Sequence, residues 1–530
     1  MTEKKTKTLI SWLIESFKKN SDRTALEVND LTLTYTQLLE RALKYTALIN
    51  KIKNEEDIFI GLFAYRTHTA YEGILGILFS GLGYMPLNKT LPIERTKKAL
   101  INSGISKIIV DTTSIKYLSS LLSGIEKKFT IIVSDEQILR SYKDILKPHT
   151  IITLENGNNN QDFMDITSDT YAYLLFTSGT TGEPKGIAIR HKNIVNYIEN
   201  LNNFSSPTCE DRFSQMHDLT FDNSVFDMFF CWLNGGSLCV PSDQYLLMPW
   251  AFLKDKLLSI WFSVPSVAVL MKRQKMLKKD MFPTLKWSFF AGESFSDSLA
   301  KDWKDASPNT RIINLYGPTE ATVDCSYYEW VKDISTKESL NDILPIGKPF
   351  KNMDLIVIDE NLQIVPPGNK GELCLSGLQV TEGYWNNIEL TEEKFIKVIK
   401  NDEIIKYYRT GDLVVYNESY GFNFLGRIDD QIKILGYRIE LQEIEAVIKD
   451  IVKTETVSAV GWPVTERQVD GIYVFISGVN MESAYIINLC RKLLPNYMIP
   501  KKIIFLDALP LNVNGKTDKK KLIQMLTNDI

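Results

Sequence analysis

Short apolar runs alternate along the chain with segments in which apolar residues recur every three or four positions. DIFIGLFAY (residues 57–65) reads as a buried strand, the stretch 71–81 as a helix and GYMPL (83–87) as the next strand. ISKIIVD, KFTIIVSD, AYLLFTSG and KWSFFAGE continue the series to residue 293. Runs of this length between turn residues suit strands covered on both faces, and the helical stretches suit crossovers. The pattern predicts a large α/β core with mixed sheets. Within it, SIWFSVPSVAVLMKRQKML (259–277) predicts a strand, a turn at Pro265 and a helix with Ser266 near its N-cap. ENGNNNQDFMDITSD (155–169) is polar and predicts a surface loop.

After about residue 350 the texture changes. NMDLIVID, GELCLSG and DLVVYNESYGFNFLGRI read as shorter strands separated by turns, a small β subdomain. GRIDDQIKILGYRIE (426–440) then leads into IELQEIEAVIKDIV, whose apolar residues at 441, 444, 447, 448 and 451 make a helical stripe. SAVGWPV and GIYVFISG read as strands, and AYIINLCRKLLP as a helix. The expected organisation is a core over residues 1–428 and an α+β domain of about one hundred residues over 429–530.

Charge narrows the class of partner. Sixty-one Lys and Arg face 65 Asp and Glu, a net charge of -4, which gives no electrostatic case for nucleic acid or an anionic membrane surface. No apolar run approaches the ~18–20 residues of a membrane span. MTEKKTKTLISWLIESFKKN has an amphipathic pattern and no small-residue cleavage site. Cysteines at 209, 231, 239, 325, 374 and 490 form no C-x-x-C, and the histidines are dispersed. That spacing disfavours a metal cage or disulfide framework and suits buried thiols in a reducing cytoplasm.

Candidate chemistry begins at LLFTSGTTGEPKG (174–186). Thr177, Ser178, Gly179, Thr180, Thr181, Gly182 and Lys185 follow a predicted strand. Glycines let backbone N–H groups approach an anion, hydroxyls donate, and lysine adds charge, as phosphate binding requires. The spacing is not that of the common G-x-x-x-x-G-K-[ST] loop, because Pro184 precedes Lys185 and Gly186 follows it. NLYGPTE (314–320) offers the aromatic face of Tyr316, the hydroxyl of Thr319 and a Glu320 carboxylate suited to Mg²⁺. In YRTGD (408–412), Asp412 is an acceptor for ribose hydroxyls, and LPLNVNGKTD places Lys516 in a polar turn.

Taken in order, these pieces resemble the adenylate-forming enzymes: acyl-CoA synthetases, luciferases and the adenylation domains of nonribosomal peptide synthesis. GYMPLNKTLPIER, FDNSVFDMF, NLYGPTEAT, GELCLSG, YYRTGDLV, LPNYMIP and NGKTDKKKL carry the resemblance with the loop, over essentially the whole chain. It implies that a carboxylic acid attacks the α-phosphate of Mg·ATP and that the acyl group then passes to a thiol. Joining two anions needs positive charge and oriented donors more than a covalent nucleophile. By position, Lys516 is expected to contact the carboxylate and α-phosphate, Thr319 the α-phosphate and Glu320 the metal. Tyr316 is expected to stack on adenine, Asn314 to meet its edge, and Asp412 to hold the ribose with Arg427 nearby. Loop 177–185 is expected to hold the β- and γ-phosphates.

FDNSVFD selects the acid. Asp222 aligns with the aspartate that binds an α-ammonium in amino-acid-activating members, and a cation entering a pocket needs a paired carboxylate. The bland reading is an N-cap. The remaining pocket positions fall on Asn223, Phe226, Phe262, Phe289, Ala291, Leu315, Val323 and Asp324. Three phenylalanines predict a small, largely apolar substrate. The Phe289, Ala291, Leu315, Val323 series resembles that of stand-alone prolyl–carrier protein ligases and favours L-proline, with alanine, glycine or a small branched residue as alternatives. Asp324 departs from the apolar pattern, either facing away or approaching the ammonium.

The expected acceptor is the phosphopantetheine thiol of a free-standing carrier protein, because few residues follow NGKTDKKKL and no G-x-S-x-G elbow is present. Lys519, Lys520 and Lys521 suit an acidic carrier or a plain solvated face. Asp429 matches the family's hinge position, so the C-terminal domain is expected to rotate, bringing the segment around Gly436 to a thiol tunnel. His217 falls near a gating position in some relatives, or is simply packed. The rival readings are a D-alanyl carrier protein ligase and a non-catalytic binding module.

Overall fold

A computed structural model describes residues 7–154, 163–164, 166–179, 183–465, 468–479, 481–511 and 517–528. Most of the asparagine-rich stretch 155–169, Thr180, Thr181, Gly182 and Lys516 lie outside the described residues.

The predicted alternation folds into two sheets rich in parallel pairs. One has seven strands, in the order Thr150–Thr153, Thr130–Val133, Lys107–Val110, Phe59–Phe63, Gly83–Leu87, Tyr171–Thr177 and Lys185–Arg190. Only the last strand is antiparallel to its neighbour. The other sheet has nine strands. Its central strands, Arg311–Tyr316, Trp287–Phe290, Ile260–Ser263, Arg212–Ser214, Ser237–Val240 and Thr24–Val28, are parallel. Antiparallel strands close both ends.

Helices cover these sheets as their periodicity predicts. Tyr35–Ile52 starts at a capping box, with the Thr34 hydroxyl accepting from the Gln37 N–H and the Gln37 side chain accepting from the Thr34 N–H. His68–Phe79 is buried on all sides after its first residue, which is why it is apolar all round. Gly76 permits its packing, since a Cβ there would lie 2.4 Å from Tyr45 Cβ. One prediction shifts: Pro265 is the first residue of the helix Pro265–Arg273 rather than a preceding turn, and Val264 is the N-cap. Proline is tolerated there because a first-turn N–H has no intrahelical partner.

Five antiparallel strands between residues 353 and 427 form the β subdomain, and one hydrophobic cluster joins it to both large sheets. The smaller C-terminal unit has its own cores. Ile434, Ile439, Ile444, Ile448, Val474, Ile486 and Ile503 belong to one cluster, and Val460, Phe475, Leu522 and Leu526 to another. Its hairpin, Gln431–Ile434 with Tyr437–Glu440, turns through Leu435 and Gly436 at φ +53° and +77°. Two positive φ values define the tight hairpin turn that matches strand twist. A Cβ on Gly436 would also lie 2.3 Å from Val264 Cγ1. Among the described residues, no helix is long and apolar enough to cross a membrane.

Candidate active site

Strands from both large sheets end at one cleft. Tyr171–Thr177 delivers Thr177 and Ser178, and Arg311–Tyr316 delivers Tyr316 and Gly317. Carboxyl ends of parallel strands are the usual ligand crevice of α/β sheets. The β subdomain adds Asp412 and Arg427, and the C-terminal hairpin adds Lys433, Gly436 and Arg438. An adjoining, more apolar cleft shares Tyr316, Asp412 and Arg427 and includes Ser294, Asn314 and Ile346.

The predicted nucleotide residues meet through a short relay. Tyr316 Oη donates to Asp412 Oδ2 at 2.5 Å, and Arg427 Nη1 donates to Asp412 Oδ1 at 2.7 Å. Asp412 and Arg427 are cross-strand partners, so the sheet register sets this pair. Arg427 also holds Asp429 by bonds of 2.8 and 2.6 Å. Asn314 donates its amide to the Pro345 carbonyl at 2.8 Å.

Glu320 is buried and accepts from Tyr384 Oη at 2.7 Å. Arg438 Nη1 lies 3.1 and 2.9 Å from its two oxygens. Burial raises the pKa of a carboxyl, but here Arg438, Tyr384 and Lys185 outweigh it and hold Glu320 below its ordinary value. The same hairpin takes two groups of the glycine-rich loop: Ser178 Oγ donates to the Arg438 carbonyl at 2.7 Å, and Lys185 Nζ lies 3.3 Å from Glu440 Oε1. Thr177 Oγ1 is buried without a partner. Gly179 has no room for a side chain, since a Cβ would lie 2.0 Å from the Glu183 carbonyl oxygen.

Asp222 and Asp324 both line the cleft. Asp222 precedes a three-residue helix but makes no capping bond. Its carboxylate meets the Thr319 hydroxyl instead, and burial pushes it up to about 6. Asp324 accepts from Tyr197 Oη at 3.0 Å; burial, then the charge of Asp222, pushes it up to about 8. The loop between Glu320 and Asp324 is strained, with Thr322 and Val323 at φ +58° and +70°. β-branched residues rarely adopt that region. Gln379 holds the loop, donating to the carbonyls of Asp324 at 2.6 Å and Ala321 at 3.2 Å, while Thr322 Oγ1 donates to the Gln379 carbonyl.

The other predicted pocket positions divide between the clefts and the buried core. Asn223 lines the cleft, but Phe226, Phe262, Phe289, Ala291 and Val323 do not, and Leu315 lines only the adjoining one. The three phenylalanines pack on one another, with Phe226 ring centroids 4.3 Å from Phe262 and 5.0 Å from Phe289, and all are buried. Aromatic contact fills the space that their spacing in sequence left open. His217 lies behind the same wall, its Nδ1 3.0 Å from Asp227 Oδ2 and its ring 4.6 Å from Phe262.

Beyond Gly436 a second opening is lined by Asn88, Phe221, Tyr437 and Tyr497. Tyr437 stacks on Tyr497 at 3.7 Å and meets Phe221 edge-on at 4.6 Å. Arg95 pairs with Glu443 across the same junction.

A family model described as AMP-binding enzyme matches residues 13–385. The chain belongs to the AMP-binding enzymes. As such it is an acid–thiol ligase that uses ATP to form an adenylate. Zwittermicin A synthase ZmaJ of Bacillus cereus is 30% identical over 520 residues, 96% of this chain and 93% of that protein. Gramicidin S synthase 1 of Brevibacillus brevis is also 30% identical over 97% of this chain, which spans only 44% of that protein. The crystal structure of the Vibrio cholerae adenylation domain AlmE, in complex with glycyl-adenosine-5'-phosphate, matches with a TM-score of 0.89 at 29% identity, covering 98% of each chain.

Several residues of this AMP-binding enzyme's cleft were not singled out by sequence. Arg438 and Lys433 lie inside the recognised GRIDDQIKILGYRIE segment, so the signal was present but unspecific. Tyr197, Gln379 and Tyr384 carry no local signal, because neutral hydrogen-bonding side chains in a helix or loop look ordinary until folded.

Proposed function

We propose that this enzyme activates a small amino acid as its aminoacyl-adenylate and passes the aminoacyl group to the phosphopantetheine thiol of a separate carrier protein. The observation that carries the reading is Asp222, a buried carboxylate opening on the cleft that also holds Thr319, Tyr316 and Asp412. A buried carboxylate without a paired cation suits an ammonium ligand.

In this reading the amino acid's carboxylate oxygen bonds to the α-phosphorus while the bond to the bridging oxygen breaks and pyrophosphate leaves. Tyr316 and Asn314 hold adenine, Asp412 and Arg427 the ribose, and Thr319 the α-phosphate. Thr177, Ser178 and Lys185, with Gly179 to Gly182, hold the β- and γ-phosphates, and Lys516 bridges the carboxylate and α-phosphate. Glu320 would hold magnesium. A single buried anionic carboxylate fits that role, because Mg²⁺ takes its other ligands from phosphates and water. Magnesium, when bound, neutralises phosphate charge. The thiol sulfur then bonds to the acyl carbon, the acyl–phosphate oxygen bond breaks and AMP leaves. We place the hinge at Asp429 and the mobile unit at 429–530; the separate cores of that unit support this division.

Two substrates fit. The pocket resemblance favours L-proline. The packing of Phe226, Phe262 and Phe289 favours the smaller glycine, and glycyl-adenylate is the ligand of the similar AlmE. Pyrophosphate exchange across the twenty amino acids and D-alanine tests the reading. Exchange peaking at glycine or L-proline is the expected result, a peak at D-alanine selects the cell-wall-type ligase, and no exchange with any amino acid leaves a binding module. Mass spectrometry of a phosphopantetheinylated carrier against coenzyme A then identifies the acceptor.

A further inference from the structure

Asp324 is 1% exposed, yet it lines the cleft with Asp222. Its one hydrogen bond from a side chain is that from Tyr197 Oη at 3.0 Å, and among the described residues it has no ion-pair partner. Asp222 likewise has no ion-pair partner among the described residues: it meets a hydroxyl and an N–H, and the charge of His217 is the smallest of the influences on it. Groups from four segments act on the two carboxylates. The helix His191–Phe204 contributes Tyr197, the segment before Asp222 contributes His217, the loop after Tyr316 contributes Thr319 and Glu320, and the hairpin contributes the positive charge of Lys433. Two carboxylates at one end of a cleft repel one another unless a proton or a cation lies between them. The protein places no cation between them, and the cleft gives a ligand access.

We infer that Asp324 is a second acceptor for the substrate's α-ammonium, which bridges Asp222 and Asp324. This rests on the reading that the chain activates an amino acid through Asp222. The geometry uses N–H donors in two directions, which a primary ammonium and a secondary ring ammonium both possess. Tyr197 acts through Asp324, holding its Oδ2. Carboxylic acids of the same shape without the amine leave two carboxylates unpaired and are rejected.

The test compares ligands that differ only in the amine. Glycyl-sulfamoyl adenosine is paired with acetyl-sulfamoyl adenosine, and the prolyl compound with its cyclopentanecarbonyl analogue. Binding to the full chain is measured by calorimetry for wild type, Asp324→Asn, Asp222→Asn and Tyr197→Phe. Wild type is expected to prefer the amine at least a hundredfold in one pair. Asp324→Asn keeps the bond from Tyr197 and is expected to shrink that preference at least tenfold, and Tyr197→Phe by less. A purely structural effect weakens both ligands together and leaves the ratio intact. A ratio within twofold of wild type in Asp324→Asn, with Asp222→Asn impaired, overturns this inference alone. A wild type with no preference for the amine overturns the amino-acid reading as well.

Discussion

Arg438 reaches both oxygens of Glu320, at 3.1 and 2.9 Å, from a hairpin that belongs to the C-terminal unit. Glu440 of that hairpin meets Lys185, and the Arg438 carbonyl takes the Ser178 hydroxyl. A cation thus sits on the proposed metal ligand, and an anion and a carbonyl sit on the proposed phosphate ligands. In this arrangement the hairpin and a metal–pyrophosphate complex compete for the same three groups. Arg438→Ala is expected to preserve pyrophosphate exchange and to slow thiol transfer from preformed adenylate at least tenfold. Added pyrophosphate with Mg²⁺ is expected to inhibit transfer in wild type. Lys516→Ala is expected to give the opposite split, with exchange abolished and transfer largely intact. Equal loss of both steps in both variants would remove the two-state account.

Asp412 lies between Tyr316 and Arg427, two donors already in place. Among the described residues, its replacement by alanine leaves Arg427 with Asp429 as its remaining ion-pair partner. Hydrogen bonds to charged groups contribute about 1.5–3 kcal/mol, so the KM for ATP is expected to rise about 10–150-fold. The KM for the amino acid should stay within a few-fold. Initial rates with each substrate varied in turn check this, and a selective rise for the amino acid would contradict the assignment.

Amino-acid affinity should depend on pH in a defined direction. Burial and the charge of Asp222 push Asp324 up to about 8, and burial pushes Asp222 up to about 6. At neutral pH the empty site therefore keeps a proton on Asp324, and a bridging ammonium expels it. Below pH 8 binding releases the proton at a cost that shrinks as pH rises, so the amino-acid KM is expected to fall between pH 6.5 and 8 and then level. Asp324→Asn should flatten the profile. Enthalpies measured in buffers of different ionisation heat would count the released proton directly.

The phenylalanine wall makes a size prediction. Phe226 touches Phe262, Phe289 and Phe230 with centroids 4.3, 5.0 and 5.0 Å away. Phe226→Ala should destabilise the chain by about 3–5 kcal/mol through the cavity it leaves. The same cavity should admit leucine or phenylalanine in the exchange assay while exchange with the native substrate weakens. Unchanged selectivity would mean that the wall does not set substrate size.

By itself the sequence determined the alternation of strands and helices, the order of the motifs and therefore the family. These are local quantities. Burial period marks an element wherever it ends up, and Asp222, Tyr316, Glu320 and Asp412 are recognisable because their neighbours in the chain are fixed with them. Only the tertiary structure decided which pocket positions open on the cleft. Phe226, Phe262 and Phe289 come from three separate elements, and whether they enclose a space or fill it depends on ring packing across those elements. Likewise Asp324 and Tyr197 are 127 residues apart, and Arg438 and Glu320 are 118 apart. Each pair exists because two sheets and a hairpin converge on one crevice, where charges distant along the chain are buried together and must satisfy one another.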